Sequence, residues 1–343
     1  MEIVHIALPS DQNYVIGLEV TAGSIAYHAS KDVGLMIHVL DGGIEDDTFS
    51  EMADKVRRLH PHVEFHRIAV NEELFRNYPV WSGNKMTYAR LLLSEALPDV
   101  SHIIYSDTDF LWLIDIAELW RQRTADDIFI GVQDHSETIK REEKWAIEHN
   151  MVFDREHYCG AGLSFYNLDK FRQEKVPDKI AQFLVQYPDV KFADQTALNY
   201  LLQGRVKFVE EKWQTLSIAL TREKISRPVA IHYGGDIPWT RGKFWAMPLS
   251  DSALLWYTLC DYITGVKPGT TIKSHLSRWQ RFYKRALAII YRHKVTRVMF
   301  NRVLKTTGRG AYIGNFNKFV RDLGLSKRKA IVRALRKEKS TRL

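Results

Sequence analysis

The chain is poor in cysteine. Its 343 residues include two, Cys159 and Cys260, too few for a disulfide framework and without metal-ligand spacing, so a reducing compartment is expected. No stretch approaches 18 consecutive apolar residues, which excludes a membrane-spanning helix. The opening run, Met1 to Pro9, lacks a basic leader and a long apolar core; it reads as a strand, and no signal peptide is expected. Internal repeats and low-complexity segments are also missing. Acidic residues nearly vanish from the last stretch: positions 271–343 hold 21 Lys and Arg against 2 Asp and Glu, while the remainder holds 28 against 39. The formal net charge of +8 therefore conceals an acidic body carrying a strongly basic tail. Such a tail suits a polyanion, either an anionic lipid surface or nucleic acid.

What is present reads as alternating strands and helices. Residues 2–8, 34–40 and 63–68 read as strands, with helices expected over 14–29 and 45–59 between them. A helix is expected from Asn84 to Leu97, followed by a buried strand ending at Asp107 and Asp109. Further strands are expected over 127–132, 163–168 and 229–233, and helices over 177–186, 194–203 and 251–263. This order implies crossover connections and a mainly parallel sheet flanked by helices, an α/β fold. The expected division is a catalytic domain over 1–250, a helix and linker over 251–270, and a basic helical module over 271–343.

The most informative stretch is His-Ile-Ile-Tyr-Ser-Asp-Thr-Asp-Phe-Leu-Trp-Leu, 102–113. On an extended segment, side chains at i and i+2 share a side, so Asp107 and Asp109 present two hard oxygen ligands together. At a strand end in an open α/β sheet, that pair suits a divalent cation holding a diphosphate. The alternative is a solvated turn after a core strand.

Four further segments stand in order along the chain: Ser-Asp-Gln-Asn-Tyr (10–14), Thr-Tyr-Ala-Arg-Leu (87–91), Gly-Ala-Gly-Leu-Ser-Phe-Tyr-Asn-Leu (160–168) and Asp-Gln-Thr-Ala-Leu-Asn (194–199). Ile-His-Tyr-Gly-Gly-Asp-Ile-Pro-Trp follows at 231–239. Together with the Asp-Thr-Asp motif, this series resembles the family-8 glycosyltransferases over roughly the first 240 residues. The resemblance implies a GT-A nucleotide-diphospho-sugar transferase fold with a Rossmann-like sheet. It implies a retaining hexosyltransferase acting on UDP-galactose or UDP-glucose, with Mn²⁺ (or Mg²⁺) held by Asp107, Asp109 and His232. The acceptor implied is an oligosaccharide or glycolipid, such as a lipopolysaccharide core.

By the same resemblance, Ala7, Asp11, Asn13, Tyr14 and Thr108 line the nucleotide site with the metal ligands. Arg90, Asp134, Ala161, Gly162, Asp194 and Gln195 surround the sugar, with Gln195 and Asp194 as the catalytic residues. Gly235 permits close approach to the diphosphate. The residues also allow plainer readings. Asp11 or Asp194 can simply cap a helix, Arg90 can form a structural ion pair, and His232 can be a satisfied strand-end residue. Two departures stand out: Gly160 replaces the family's asparagine, and Ile237 replaces a lysine that meets the diphosphate, in a segment one residue shorter. Arg241 or Lys243 is the expected compensation.

In the tail, apolar residues recur from Leu276 through Trp279, Tyr283, Leu287, Ile290 and Tyr291 to Val298, at helical steps among many cations. A basic amphipathic helix of this form fits an interfacial membrane helix, peripheral at the cytoplasmic face of the membrane; the alternative is a helix packed on the body. Nucleic acid is not expected as a partner, since no nucleic-acid motif accompanies the charge. Rival functions are a nucleotide-sugar hydrolase, a polyanion-binding protein acting through its tail, and a self-glycosylating protein.

Overall fold

The computed structural model describes residues 1–275 apart from 81, 82, 84, 218–227, 235, 236, 240–250 and 268. The basic amphipathic stripe from Leu276, together with Gly235, Arg241 and Lys243, lies outside the described residues. The chain forms two compact units, the first Met1–Gln214 and the second beginning at Thr215.

The first unit begins with β1 (Glu2–Ser10), α1 (Val15–His28), β2 (Val33–Asp41), α2 (Asp46–Arg57) and β3 (Val63–Ala69). After a 3₁₀ helix over Met86–Leu92 come α3 (Leu93–Ala96), β4 (His102–Ser106), β5 (Phe110–Trp112), α4 (Ala117–Trp120), β6 (Phe129–Gln133) and α5 (Ser136–Glu148). Then follow β7 (Cys159–Asn167), α6 (Leu168–Gln173), α7 (Val176–Gln186), α8 (Asp194–Leu201) and β8 (Val206–Val209). The seven-stranded sheet has the order β3-β2-β1-β4-β7-β6-β8. Every pairing is parallel except those of β7, which runs antiparallel to both β4 and β6. Helices cover the faces of such a sheet, so its central strands must be apolar on both sides; all nine residues of β7 are buried. One core lies where Tyr88, Leu93, Tyr105, Phe129, Trp145, Tyr166, Ile180 and Leu198 pack together.

Two details differ from the sequence expectation and matter for the site. The helix expected from Asn84 to Leu97 is wound as a 3₁₀ helix over Met86–Leu92, with a single α turn after it. In 3₁₀ winding, residues i and i+3 eclipse. Thr87 and Arg90 therefore share a face, and both reach Asp194. The second correction concerns the acidic doublet. Strand β4 stops at Ser106, so Asp107, Thr108 and Asp109 form a turn before β5 rather than the pleated end of a strand. Their common location does not come from strand alternation. Small polar residues of α1 hold the turn instead: the Thr21 hydroxyl lies 2.7 Å from the carbonyls of both Thr108 and Phe110, and Ser24 Oγ accepts from Trp112 N–H at 3.0 Å.

Helix α5, the short helices α4 and α6, and strands β5 and β8 have no counterpart in the sequence expectation, while the expected 163–168 strand extends back to Cys159. Asp194 is the first residue of α8, not its cap. The cap position is Ala193, held at φ 51° and ψ −129°, a backbone conformation costly for a residue with a Cβ.

In the second unit, β9 (Thr215–Leu216) pairs in parallel with β10 (Ala230–His232), and α9 (Asp251–Ile263) and α10 (Thr270–His275) follow. Tyr233 donates its hydroxyl to the Ser252 carbonyl at 2.7 Å, and Trp239 stacks on Trp256 with ring centroids 5.1 Å apart. Among the described residues, no helix is long and apolar enough to cross a membrane.

Candidate functional site

Parallel β1, β4 and β6 end at one edge of the sheet, and each is followed by an acidic residue: Asp11, Asp107 and Asp134. Antiparallel β7 begins at that edge, bringing Ala161 and Gly162 there. Between β6 and β7 the register jumps: Gly131 pairs with Ser164, but Val132 pairs with Gly160. Residues 161–163 are thus bulged away from β6, which releases their backbone groups for other partners. Three of the released groups are answered by residues singled out from the sequence, and a fourth by Gln214, which was not. Ala161 N–H donates to Gln195 Oε1 at 2.9 Å, and the Ala161 carbonyl accepts from the Arg90 guanidinium. The Gly162 carbonyl accepts from Asp107 N–H at 2.8 Å, and Leu163 N–H donates to Gln214 Oε1 at 3.1 Å.

Arg90 occupies the centre, with its side chain 3% exposed. Its Nε lies 3.0 Å from Asp194 Oδ2, while the Nε hydrogen is directed to the Thr87 carbonyl. The guanidinium reaches Asp107 Oδ1 at 3.4 Å and covers the Tyr105 ring, 4.0 Å from its centroid. Thr87 Oγ1 donates to Asp194 Oδ1 at 2.8 Å, and the Tyr105 hydroxyl donates to Asp107 Oδ1 at 3.0 Å. Burial pushes the Asp194 carboxyl upward, against the opposing pull of Arg90. Arg90 stays charged: burial alone would lower it, but the Asp194 carboxylate raises it well above its ordinary value.

On the other side of the bulge, Gln195 Nε2 donates to Asp134 Oδ2 at 2.7 Å and lies 3.3 Å from the Tyr158 hydroxyl. Asp134 Oδ1 accepts from His135 N–H at 2.5 Å. Arg90, Asp107, Ala161, Gly162, Asp194, Gln195 and Asp134 therefore belong to one bonded network.

The first loop is organised by Asp11, whose Oδ1 accepts from Asn13 and Tyr14 N–H at 2.8 and 3.0 Å. Burial pushes the Tyr14 hydroxyl up, and the charges of Asp109 and Asp11 add to the rise, so this loop and the second carboxylate of the doublet share one electrostatic neighbourhood. Ala7 is fully buried on β1, in register with Tyr105, and belongs to the same apolar core as Tyr88 and Tyr105. In the second unit, His232 ends β10, half-buried, and its carbonyl accepts from Ser217 N–H at 2.7 Å. A Cβ placed on Gly234 would lie 3.2 Å from the His232 ring, so glycine there leaves the imidazole its position.

Sequence reasoning missed Thr87, Tyr105, Tyr158 and Gln214 as members of the network. Tyr105 had a signal: it stands two residues before Asp107 on an extended run, on the same side. Tyr158 and Gln214 had none, because long-range register alone brings them in.

Residues 5–246 match the model of the family described as glycosyl transferase family 8. The chain is 25% identical over 260 residues to general stress protein A of Bacillus subtilis (strain 168), covering 69% of this chain and 88% of that one. It is 23% identical over 223 residues to the lipopolysaccharide 1,2-glucosyltransferase of Escherichia coli (strain K12), covering 63% of each. Among solved structures, the galactosyltransferase LgtC in complex with donor and acceptor sugar analogs is similar at a TM-score of 0.65 and 24% identity, covering 80% of this chain and 100% of that one. At that identity the likeness shows the fold.

Proposed function

The chain belongs to glycosyl transferase family 8, and from that membership we propose that it moves galactose or glucose from a UDP-sugar to an acceptor glycan, with retention of the α configuration. The glycosyltransferase class and the GT-A fold stand on the family match and the structural likeness. The observation that carries the finer reading is the bonded network joining Asp107 to Arg90, Asp194, Gln195 and Asp134 at the carboxyl edge of the sheet, where open α/β folds bind their ligands. A bacterial surface glycan, such as a lipopolysaccharide core, is the proposed acceptor, supported by similarity to the lipopolysaccharide glucosyltransferase.

Asp107, Asp109 and His232 are the proposed cation ligands. Two carboxylates and one imidazole, all half-buried, make a donor set suited to Mn²⁺ or Mg²⁺. A cation bound there supplies positive charge against the departing diphosphate. Asp11, Asn13 and Tyr14, with Thr108, are proposed to receive the uridine; Gly235 and Arg241 or Lys243 are proposed to meet the diphosphate.

Retention by two displacements needs a free carboxylate nucleophile. Asp194 is 1% exposed and bound to Arg90 and Thr87, so in this reading it braces the sugar site from behind. Both oxygens of Asp134 accept hydrogen bonds, which lowers its nucleophilicity. The Gln195 amide is intrinsically weak. The reading is therefore same-face attack: the acceptor oxygen bonds to the anomeric carbon as the bond to phosphate breaks, and the leaving phosphate oxygen takes the acceptor proton. Gln195 stabilises positive charge at that carbon.

The basic segment from 271 is proposed as a separate module that docks the enzyme on an anionic membrane surface at its cytoplasmic face; loss of vesicle binding on truncation at 270 checks it. The transferase reading is tested with a panel of nucleotide sugars and Mn²⁺, scoring UDP release with and without glycan acceptors and with chelator. Acceptor-dependent, chelator-sensitive turnover of UDP-hexoses is expected. Release of free sugar at equal rates with and without every acceptor would make the protein a hydrolase.

A further inference from the structure

Gly160 is a glycine whose backbone does not require one. It sits inside β7, in register with Val132, and is not among the residues of positive φ. A Cβ added there would lie 2.7 Å from Gln214 Nε2 and 3.5 Å from Asp134 Cγ. The space a side chain would take is thus filled by the Gln214 carboxamide, and glycine is what admits it.

The orientation of that carboxamide is settled by the bulge. Gln214 Oε1 accepts from Leu163 N–H at 3.1 Å, so the amide oxygen faces β7 and Nε2 lies over Gly160, beside Asp134. Among the described residues Nε2 has no hydrogen-bond partner, although an amide nitrogen carries two donors. Half-buried donors of this kind, held by a fixed acceptor end, are suited to a ligand hydroxyl. The neighbours identify the ligand: Asp134, beside Gly160, accepts from Gln195, and these two residues belong to the sugar-binding part of the proposed site.

We infer that Gln214, its carboxamide seated in the space left by Gly160, is a specificity-determining residue that donates from Nε2 to a hydroxyl of the donor hexose. The inference rests on the proposed UDP-hexose reading. It assigns selection of the sugar to an amide that enters from the end of the first unit rather than from β7 itself.

The test is a steady-state comparison, in the full chain, of UDP-galactose and UDP-glucose with Mn²⁺, alongside calorimetric binding of UDP alone and a melting curve for each variant. Gln214→Ala is expected to raise KM for the preferred donor about tenfold, the worth of one neutral hydrogen bond, and to shrink the ratio of kcat/KM between the two donors. UDP affinity should not change. Gln214→Glu keeps an acceptor for Leu163 N–H but loses the donor, and should show the same loss; a packing role would survive that exchange. Gly160→Ala, whose methyl displaces the amide, should reproduce the effect. Wild-type donor KM and donor ratio in folded Gln214→Ala and Gln214→Glu would overturn the inference while leaving the transferase reading intact. A wild-type protein that turns over neither donor would remove both.

Discussion

Gln195 donates through Nε2 to Asp134 Oδ2 at 2.7 Å, between residues 61 apart in the chain. Because Gln195 Oε1 is also taken by Ala161 N–H, the carboxamide is fixed at both ends and its orientation follows from the network. A side chain held this way can present a dipole at a set position without reorganising as charge develops, which is where electrostatic stabilisation is most effective.

Replacing that amide by a carboxylate tests the arrangement directly. In Gln195→Glu two carboxylates would meet at the Asp134 contact, and they cannot both be ionised there. One must bind a proton, so the variant's relative activity is expected to rise as pH falls, with little change in melting temperature. A pH–rate profile for kcat, compared with wild type, checks this.

Arg90 and Asp194 have side chains 3% and 1% exposed and pair at 3.0 Å. Removing one partner leaves the other charge buried, at a cost of about 3–5 kcal/mol. Arg90→Ala and Asp194→Ala are each expected to lower unfolding free energy by that amount in denaturant titrations. Arg90→Lys should recover little, since an ammonium cannot span Asp194, Asp107 and the Ala161 carbonyl together.

Glu142 is buried on α5, where Oε2 accepts from Thr196 Oγ1 at 3.1 Å, next to Gln195 in sequence. Burial pushes its carboxyl up from the ordinary 4.5 to about 7, against hydrogen bonds from Thr196 and Tyr158. The folded protein therefore holds this proton more tightly than the unfolded chain. Its stabilising contribution is full below pH about 4.5 and is lost as pH rises through about 7, by roughly 3 kcal/mol at most. Glu142→Gln should remove that slope from unfolding curves recorded between those limits.

On the proposed cation set, Asp107→Asn with Asp109→Asn should reduce UDP release at least ~100-fold while circular dichroism and melting stay near wild type. Chelator should have the same effect on the wild-type protein, reversed by added Mn²⁺. Full turnover in the doubly substituted chain would dismiss these carboxylates as cation ligands.

How far the sequence could be read differs between its parts. The apolar runs around Ile37, Ile104 and Phe165 announced buried strands, because a strand covered on both faces must be apolar along its length. Asp107, Arg90, Asp194 and Gln195 were identified by motif, and the structure brings all four together. The helix expected from Asn84 was placed correctly but wound differently. Apolar spacing does not distinguish 3₁₀ from α winding over seven residues, and the shared bonding of Thr87 and Arg90 to distant Asp194 accompanies the tighter form. Helix α5 was overlooked because charged residues dominate its exposed face and leave Ile139, Trp145 and Ala146 as a sparse apolar trace.

By itself, then, the chain determined the order of its apolar strands and of the helices between them, the acidic residues at the strand ends, and the chemistry those residues can perform. These follow from short-range periodicity and side-chain type. Tertiary structure alone decided that residues 161–163 bulge from β6, that Arg90 faces Asp194, and that Gln214 fills the gap at Gly160. Each of those depends on register between segments far apart in sequence, and a pairing that distant leaves no periodic trace in either segment.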